Sequence, residues 1–125
     1  MILDTNALSA YADEQMSVLE ALSTAKELAL PVVVIGEYRF GIALSRHRDW
    51  YQKWLDEFIR DCRVLNIEEA TTHHYADIRV ELKRSGTPIP VNDVWIAALS
   101  RQHGLPLVSR DRHFDSVPRI RRVAW

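Results

Sequence analysis

The chain begins Met1-Ile2-Leu3-Asp4-Thr5-Asn6, a short apolar run that stops at an acid followed by two turn-favouring residues. Such a run predicts a short buried strand ending at Asp4. Residues 105–109, Leu-Pro-Leu-Val-Ser, repeat the pattern near the other end of the chain and lead into Arg110-Asp111. Strands buried on both faces of a parallel sheet are apolar along their whole length, so the two runs favour strands of such a sheet.

Helical patterns separate these apolar runs from one another. The spacing predicts helices over 7–29, from about residue 36, and over 49–61, 69–84 and 92–103, the last ended by Gly104. Further strands are predicted at 32–35, at 63–67 and near 122–125. Strands that alternate with helices predict a three-layer α/β/α fold with a central, mainly parallel sheet of four to five strands. The length and the lack of a linker predict a single domain over 1–125.

The composition is that of an ordinary globular protein, with 47% hydrophobic and 26% charged residues. Cys62 is the only cysteine, so no internal disulfide is expected. The N-terminus shows no basic segment followed by a long apolar run, so we expect a cytoplasmic protein without a membrane span. The net charge of −1 gives no sign of nucleic-acid binding, although arginine, which suits phosphate, supplies most of the basic residues.

Four acids stand at the predicted carboxyl ends of strands or at the start of the following helix: Asp4, Glu37, Asp93 and Asp111. Ligands of open parallel sheets bind at that edge, so the four side chains are predicted to converge. Each acid alone has a structural explanation as a helix cap, an acid near a helix dipole or the partner of a surface arginine. The coincidence of all four favours a functional site.

Converging carboxylates indicate a cation. Two carboxylates about 4 Å apart repel each other by roughly 4 kcal/mol at an effective dielectric constant of about 20. A ligand set of oxygens alone favours Mg²⁺ or Mn²⁺ over zinc. A divalent ion that activates water and polarises phosphate supplies what phosphodiester hydrolysis requires.

Four blocks of sequence also carry a family resemblance, and they cover nearly the whole chain. They are residues 2–6 (ILDTN), residues 36–41 (GEYRFG), residues 89–98 (IPVNDVWIAA) and residues 107–114 (LVSRDRHF). In this order and spacing they resemble the PIN-domain ribonucleases, and most closely the VapC-type toxins of type II toxin–antitoxin systems. The resemblance implies a PIN-like fold and an Mg²⁺-dependent endoribonuclease, with Mn²⁺ able to substitute, that cleaves single-stranded RNA by a metal-activated water.

The resemblance also implies roles for individual residues. Asp4, Glu37, Asp93 and Asp111 would bind the metal and carry catalysis. Three neighbours would orient them by hydrogen bonding: Thr5, Asn6 and Ser109, the last in place of a more usual threonine. The fourth acid is the least dependable of the set, and Asp115 is the alternative to Asp111. Position alone makes Arg110 and Arg112 candidates for RNA backbone contacts, and leaves His113 either against phosphate or in solvent.

Partners follow from the resemblance and not from composition. It implies a cognate antitoxin protein, a homodimer, and operator DNA bound only indirectly through the antitoxin. Trp50, Tyr51 and Trp54 are candidates for the antitoxin groove, although aromatic residues at helical spacing fit a core equally well.

Other functions are weighed against this one. The main alternative is a catalytically silent PIN-fold module that binds RNA or a protein partner. A haloacid-dehalogenase type of phosphatase would need an aspartate at the position of Asn6. A receiver domain would need a lysine after a late strand, and none of the three lysines stands there. Which RNA would be cut stays open between transfer, ribosomal and messenger RNA.

Overall fold

A computed structural model describes all 125 residues and contains one five-stranded sheet. The strands are β1 (Ile2–Leu3), β2 (Ala29–Pro31), β3 (Arg63–Leu65), β4 (Leu107–Val108) and β5 (Arg122–Val123). They lie in the order β3-β2-β1-β4-β5, and every neighbouring pair is parallel. The predicted parallel sheet is therefore confirmed, with strands shorter than the apolar runs.

Six α-helices flank the sheet: α1 (Thr5–Ala12), α2 (Met16–Leu22), α3 (Val32–Ala43), α4 (Arg48–Arg60), α5 (Glu69–Ser85) and α6 (Val91–His103). A 3₁₀ helix, Arg112–Ser116, precedes β5. Gly86 and Gly104 end α5 and α6 with φ angles of 70° and 63°, a left-handed conformation that costs glycine little. No helix is both long enough and apolar enough to cross a membrane. The three-layer α/β/α fold predicted from sequence is confirmed.

The strand predicted at 32–35 is wrong. The strand is Ala29–Pro31, and Val32 already begins α3. Within α3, Val34, Tyr38 and Ile42 recur every four residues and are all buried. Packing of this helical face outweighs the strand preference of the β-branched run, because strand propensity depends strongly on tertiary context. Glu37 consequently lies in the second turn of α3 and not in the first.

The helix predicted over 7–29 is also wrong in extent, because two helices occupy part of that range. The break falls between α1 and α2 at Glu14, whose φ is 55°. A left-handed residue cannot continue a right-handed helix, so the chain turns there. Each short helix then buries its own apolar residues, Leu8 among those of α1 and Val18 among those of α2.

The strand order places the candidate site. The chain runs outward from β1 through β2 to β3 and then returns to lay β4 against the other side of β1. Ligands of open α/β sheets bind in the crevice that such a reversal opens at the carboxyl ends of the strands. Leu3 pairs with Val108, so the residues that follow, Asp4 and Ser109, leave the sheet side by side.

Candidate active site

Asp4 is held by hydrogen bonds that cross from β1 to β4. The Ser109 hydroxyl donates to Asp4 Oδ2 at 2.6 Å, and the Asn6 amide donates to the same oxygen at 3.2 Å. Asp4 stands at the N-cap position of α1, yet its side chain makes no capping bond to the helix. The carboxylate is therefore turned towards β4 and is not used to cap the start of α1.

Asn6 and Ser109 tie the loop after β4 to this network. Asn6 accepts from the backbone N–H of Arg110 at 3.2 Å, and Ser109 accepts from the backbone N–H of Asp111 at 2.9 Å. Both side chains thus make hydrogen bonds of the kind expected for them. The buried Thr5 hydroxyl lies near Glu37, whose pKa it lowers, but it makes no hydrogen bond of good geometry.

Asp93 and Asp111 meet at His113. The Nδ1 atom of His113 lies 3.0 Å from Asp111 Oδ1 and 3.4 Å from Asp93 Oδ2. One ligand atom from each of the three side chains lies within 4.8 Å of the others. Asp93 comes from the first turn of α6, whereas the other two belong to the 3₁₀ segment, so the cluster joins two separate elements.

Glu37 approaches the cluster from α3. Its Oε1 atom is buried and has no hydrogen-bond partner, an arrangement that costs free energy unless something compensates. Burial, and after it the charges of Asp4 and Asp93, raise the pKa of Glu37. Mutual repulsion of this kind requires the three carboxylates to be close neighbours.

The pKa values of Asp4 and Asp93 are raised as well. Burial is the largest cause that raises the pKa of Asp4 and of Asp93, and the charge of Asp111 adds to both. Among the ion pairs of the structure, the only ones that involve these acids are the two formed by His113. No arginine or lysine forms an ion pair with these four acids, which we name the carboxylate rim: Asp4, Glu37, Asp93 and Asp111.

Asp115 lies outside this rim. Arg122 binds both of its carboxylate oxygens, at 2.8 and 2.9 Å, and these bonds lower the pKa of Asp115. The same guanidinium donates to the backbone carbonyl of Ser109 at 3.0 Å. Asp115 therefore fastens the loop after β4 through Arg122 and is not free to complete the site.

The two arginines of the same loop differ in their surroundings. The guanidinium carbon of Arg110 lies 3.7 Å from the centre of the Trp125 ring, a close cation–π contact. Arg112 is exposed and forms no ion pair within 4 Å. Both side chains are accessible beside the rim.

Sequence reasoning gave His113 no contact with the acids and gave Arg122 no role. Both contacts depend on the 3₁₀ turn between β4 and β5, for which apolar periodicity gives no signal. The Asp-x-His spacing of Asp111 and His113 is the one local hint, because Asp111 caps the turn by accepting from the backbone N–H of His113 at 2.9 Å.

The donor set of the rim fits a divalent cation. Carboxylate oxygens are the ligands that hard cations prefer, and an imidazole nitrogen beside them is compatible with first-row metals. The unpartnered Oε1 of Glu37 is one of the atoms that a cation would satisfy. A cation would also offset the repulsion that raises the three pKa values.

Comparison with known proteins agrees with the fold. The family model described as PIN domain matches residues 1–120. The chain belongs to the PIN-domain family. The resemblance expected from the four sequence blocks is thus confirmed.

Individual PIN-domain proteins are similar over almost their whole length. Ribonuclease VapC2 of Rickettsia felis is 26% identical, over 99% of this chain and 96% of that protein. The tRNA(fMet)-specific endonuclease VapC of Shigella flexneri is 28% identical, over 99% and 96%. Among solved structures, VapBC2 from Rickettsia felis bound to a DNA fragment from their promoter gives a TM-score of 0.86 at 26% identity. It covers 99% of this chain and 97% of that one.

Proposed function

We propose that this chain is a metal-dependent endoribonuclease and the toxin of a toxin–antitoxin pair, with residues 1–125 acting as one PIN domain. The observation that carries the proposal is the carboxylate rim, which gathers four acids without an arginine or lysine partner at the switch point of a PIN fold. Similarity to VapC ribonucleases over the whole chain supports RNA as the substrate.

Asp4, Glu37, Asp93 and Asp111 would hold one or two Mg²⁺ ions, for which Mn²⁺ can substitute. The bound ion would activate a water and polarise the scissile phosphodiester of single-stranded RNA. Ser109 and Asn6 act on Asp4, since their hydrogen bonds fix the direction of its carboxylate. A carboxylate that is already oriented loses less entropy when it binds a ligand.

The loop after β4 is the proposed RNA contact. Arg110 and Arg112 lie on either side of Asp111 and are both exposed. A charged, planar guanidinium binds phosphate oxygens in two places at once. We expect these side chains to hold the RNA backbone while the rim acts on one phosphodiester, without reading the base sequence.

An antitoxin is the proposed protein partner, bound beside the N-terminal helices. The Phe58 ring stacks on both Tyr11 and Trp54, with ring centres 4.9 Å apart in each pair. They line a groove with Met16, which is 68% exposed. Trp54 both lines this groove and packs against the core, the two positions expected for it. Trp50 is 59% exposed. Homodimerisation, and DNA binding only through the antitoxin, are proposed from the family resemblance. The similar VapBC2 structure from Rickettsia felis, which is bound to a DNA fragment from its promoter, supports the DNA proposal.

Cleavage of total cellular RNA by the purified protein tests the enzymatic proposal. The expected result is a set of discrete fragments with Mg²⁺ or Mn²⁺ that disappears with EDTA and with Asp93→Asn. A transfer-RNA fraction is tested in parallel, because one similar protein is named a tRNA(fMet)-specific endonuclease. Cleavage that survives in the variant would contradict the assignment. No cleavage by protein free of antitoxin would favour the catalytically silent binding module.

A further inference from the structure

His113 stands where a metal ligand would stand. Its Nδ1 atom faces two acids from different elements, 3.0 Å from Asp111 Oδ1 and 3.4 Å from Asp93 Oδ2. Adjacent ligands of an octahedral ion with bonds of about 2.1 Å are about 3.0 Å apart. Both distances from His113 Nδ1 are therefore close to the spacing of adjacent ligands around an octahedral ion.

The backbone holds His113 in this place. Asp111 caps the 3₁₀ turn through the backbone N–H of His113, at 2.9 Å. The next residue, Phe114, is only 1% exposed and anchors the turn in the core. The imidazole projects from this fixed segment towards α6, where Asp93 lies in the first turn. A side chain that is placed by its backbone needs little reorganisation to bind a ligand.

An imidazole would change which ion the rim prefers. Mg²⁺ is bound mostly by carboxylates, phosphates and water, whereas imidazole suits the first-row transition metals. We propose that His113 Nδ1 is a direct metal ligand beside Asp93 and Asp111, and that it biases the site towards Mn²⁺ over Mg²⁺. This inference rests on the proposed metal site and adds to it a nitrogen ligand and a metal preference.

Binding of Mn²⁺ to the protein without RNA gives the first test. Removal of an outer-shell partner of a metal ligand commonly lowers affinity by about 10-fold to 100-fold, and loss of a direct ligand should do at least as much. His113→Ala is therefore expected to weaken Mn²⁺ binding by about tenfold or more in calorimetry and Mg²⁺ binding by less. His73→Ala, at an exposed position on α5, is the matched control and should leave both affinities unchanged.

The opposite reading makes His113 only a positive partner of the acids. In that case the imidazole competes with the cation, and His113→Ala would leave Mn²⁺ affinity unchanged or strengthen it. Either result would overturn the proposal.

A second measurement uses the unaltered chain and does not depend on how a variant folds. Electron spin-echo modulation of the Mn²⁺-loaded protein should show a directly coordinated ¹⁴N, and the pattern should change when histidine is labelled with ¹⁵N. Absence of this nitrogen signal would overturn the proposal. The Asp93→Asn variant separates the two hypotheses, because the proposed metal site requires it to lose Mn²⁺ binding whatever His113 does.

Discussion

Two charged clusters on this molecule are built in opposite ways. In one, which we call the Glu81 cluster, Arg101 binds Glu81 through two hydrogen bonds of 2.9 and 3.3 Å and Arg119 binds it through a third of 2.8 Å. These contacts, the Arg101 bonds first among them, lower the pKa of Glu81. In the carboxylate rim, burial and repulsion raise the pKa of Asp4, Glu37 and Asp93, and His113 is the only basic side chain within ion-pair distance of a rim carboxylate.

The difference indicates two uses of charge. The charges of the Glu81 cluster stabilise the fold, whereas those of the carboxylate rim are left available for a ligand. The Glu81 cluster ties α5, α6 and the segment before β5 together, because Arg101 also donates to the carbonyl of Pro118. The rim makes no such bond between oppositely charged arginine and carboxylate, and its repulsion remains in the metal-free fold. Proteins tolerate such unpaired acids mainly where a ligand will use them.

The largest expected contrast comes from one substitution in each cluster. Asp93→Asn should reduce RNA cleavage by about a thousandfold or more, because metal assistance supplies several kcal/mol of transition-state stabilisation. Glu81→Gln should leave cleavage within about twofold and lower the free energy of unfolding by about 2 kcal/mol, the size of a lost charge-assisted hydrogen bond. Cleavage assays and urea unfolding of both variants, in EDTA for the unfolding, measure the two effects.

The effect of Asp93→Asn on the free energy of unfolding tests this comparison more strictly than its effect on cleavage. Removal of one repelling charge should make the metal-free variant as stable as the unaltered chain or more stable. A strong loss of stability in Asp93→Asn would mean that the rim acids are structural, and the contrast between the clusters would be wrong.

Two buried serines give a matched pair with a smaller expected effect on activity. Ser109 donates to Asp4 at 2.6 Å, and Ser100 donates to the carbonyl of Leu105 at 2.6 Å. Ser109→Ala should lower cleavage by about 10-fold to 100-fold, as loss of a partner that orients a metal ligand usually does. Ser100→Ala should cost about 1 kcal/mol of stability and leave cleavage unchanged. Equal activity of the two variants would show that orientation of Asp4 does not matter.

The fold and the convergence of the acids were predictable because both follow from short apolar runs. The runs at β1 and β4 end at Leu3 and Val108, and parallel strands bring their carboxyl ends to the same edge. The helical conformation of residues 32–35 was not predictable from their composition. The decision between strand and helix there depends on burial of Val34 against distant parts of the chain, which a local pattern does not contain.

The site residues also divide into those that local sequence indicated and those whose contacts depend on the tertiary structure. Asp4, Asp93 and Asp111 stand next to a strand end or a helix start, so their positions along the chain indicated them. Glu37 lies one turn further into α3 than its predicted place. The contacts of His113 and the Arg122–Asp115 pair depend on a 3₁₀ turn and on the register of β4 with β5. Arg122 lies 13 residues beyond Ser109 along the chain and reaches its carbonyl only because the two strands pair.

The pH dependence of stability should differ in sign between the clusters. The pKa values of Asp4, Glu37 and Asp93 are raised in the fold, so between the unfolded and folded pKa values the native chain binds more protons than the unfolded one. Stability then falls as pH rises from about 4. Glu81, with a lowered pKa, stabilises the fold above the unfolded pKa, and this contribution is lost as pH falls through its folded pKa.

Difference curves isolate these contributions, since all other groups are common to both proteins. The stability of Asp93→Asn minus that of the unaltered chain should increase with pH from about 4 and then level off. The same difference for Glu81→Gln should become more negative as pH rises towards 4. Thermal melts in EDTA from pH 3 to 8 measure both, and parallel curves for the two variants would contradict the comparison.

The smallest expected effect lies at the border of the rim, where Arg110 belongs to neither cluster. Its backbone N–H binds Asn6, while its guanidinium lies over Trp125 and pairs with no acid. Because a stacked guanidinium keeps its charge and its edge available, Arg110→Ala should weaken RNA binding several-fold and reduce the slope of affinity against salt by about 1. Arg60→Ala, at the end of α4 and near the opposite edge of the sheet, is the control and should change neither quantity. Both are measured in the Asp93→Asn background, so that the RNA stays intact. An unchanged salt slope in Arg110→Ala would assign this arginine to packing of the C-terminus, and the rim would then have to recruit RNA through Arg112 or through the bound cation alone.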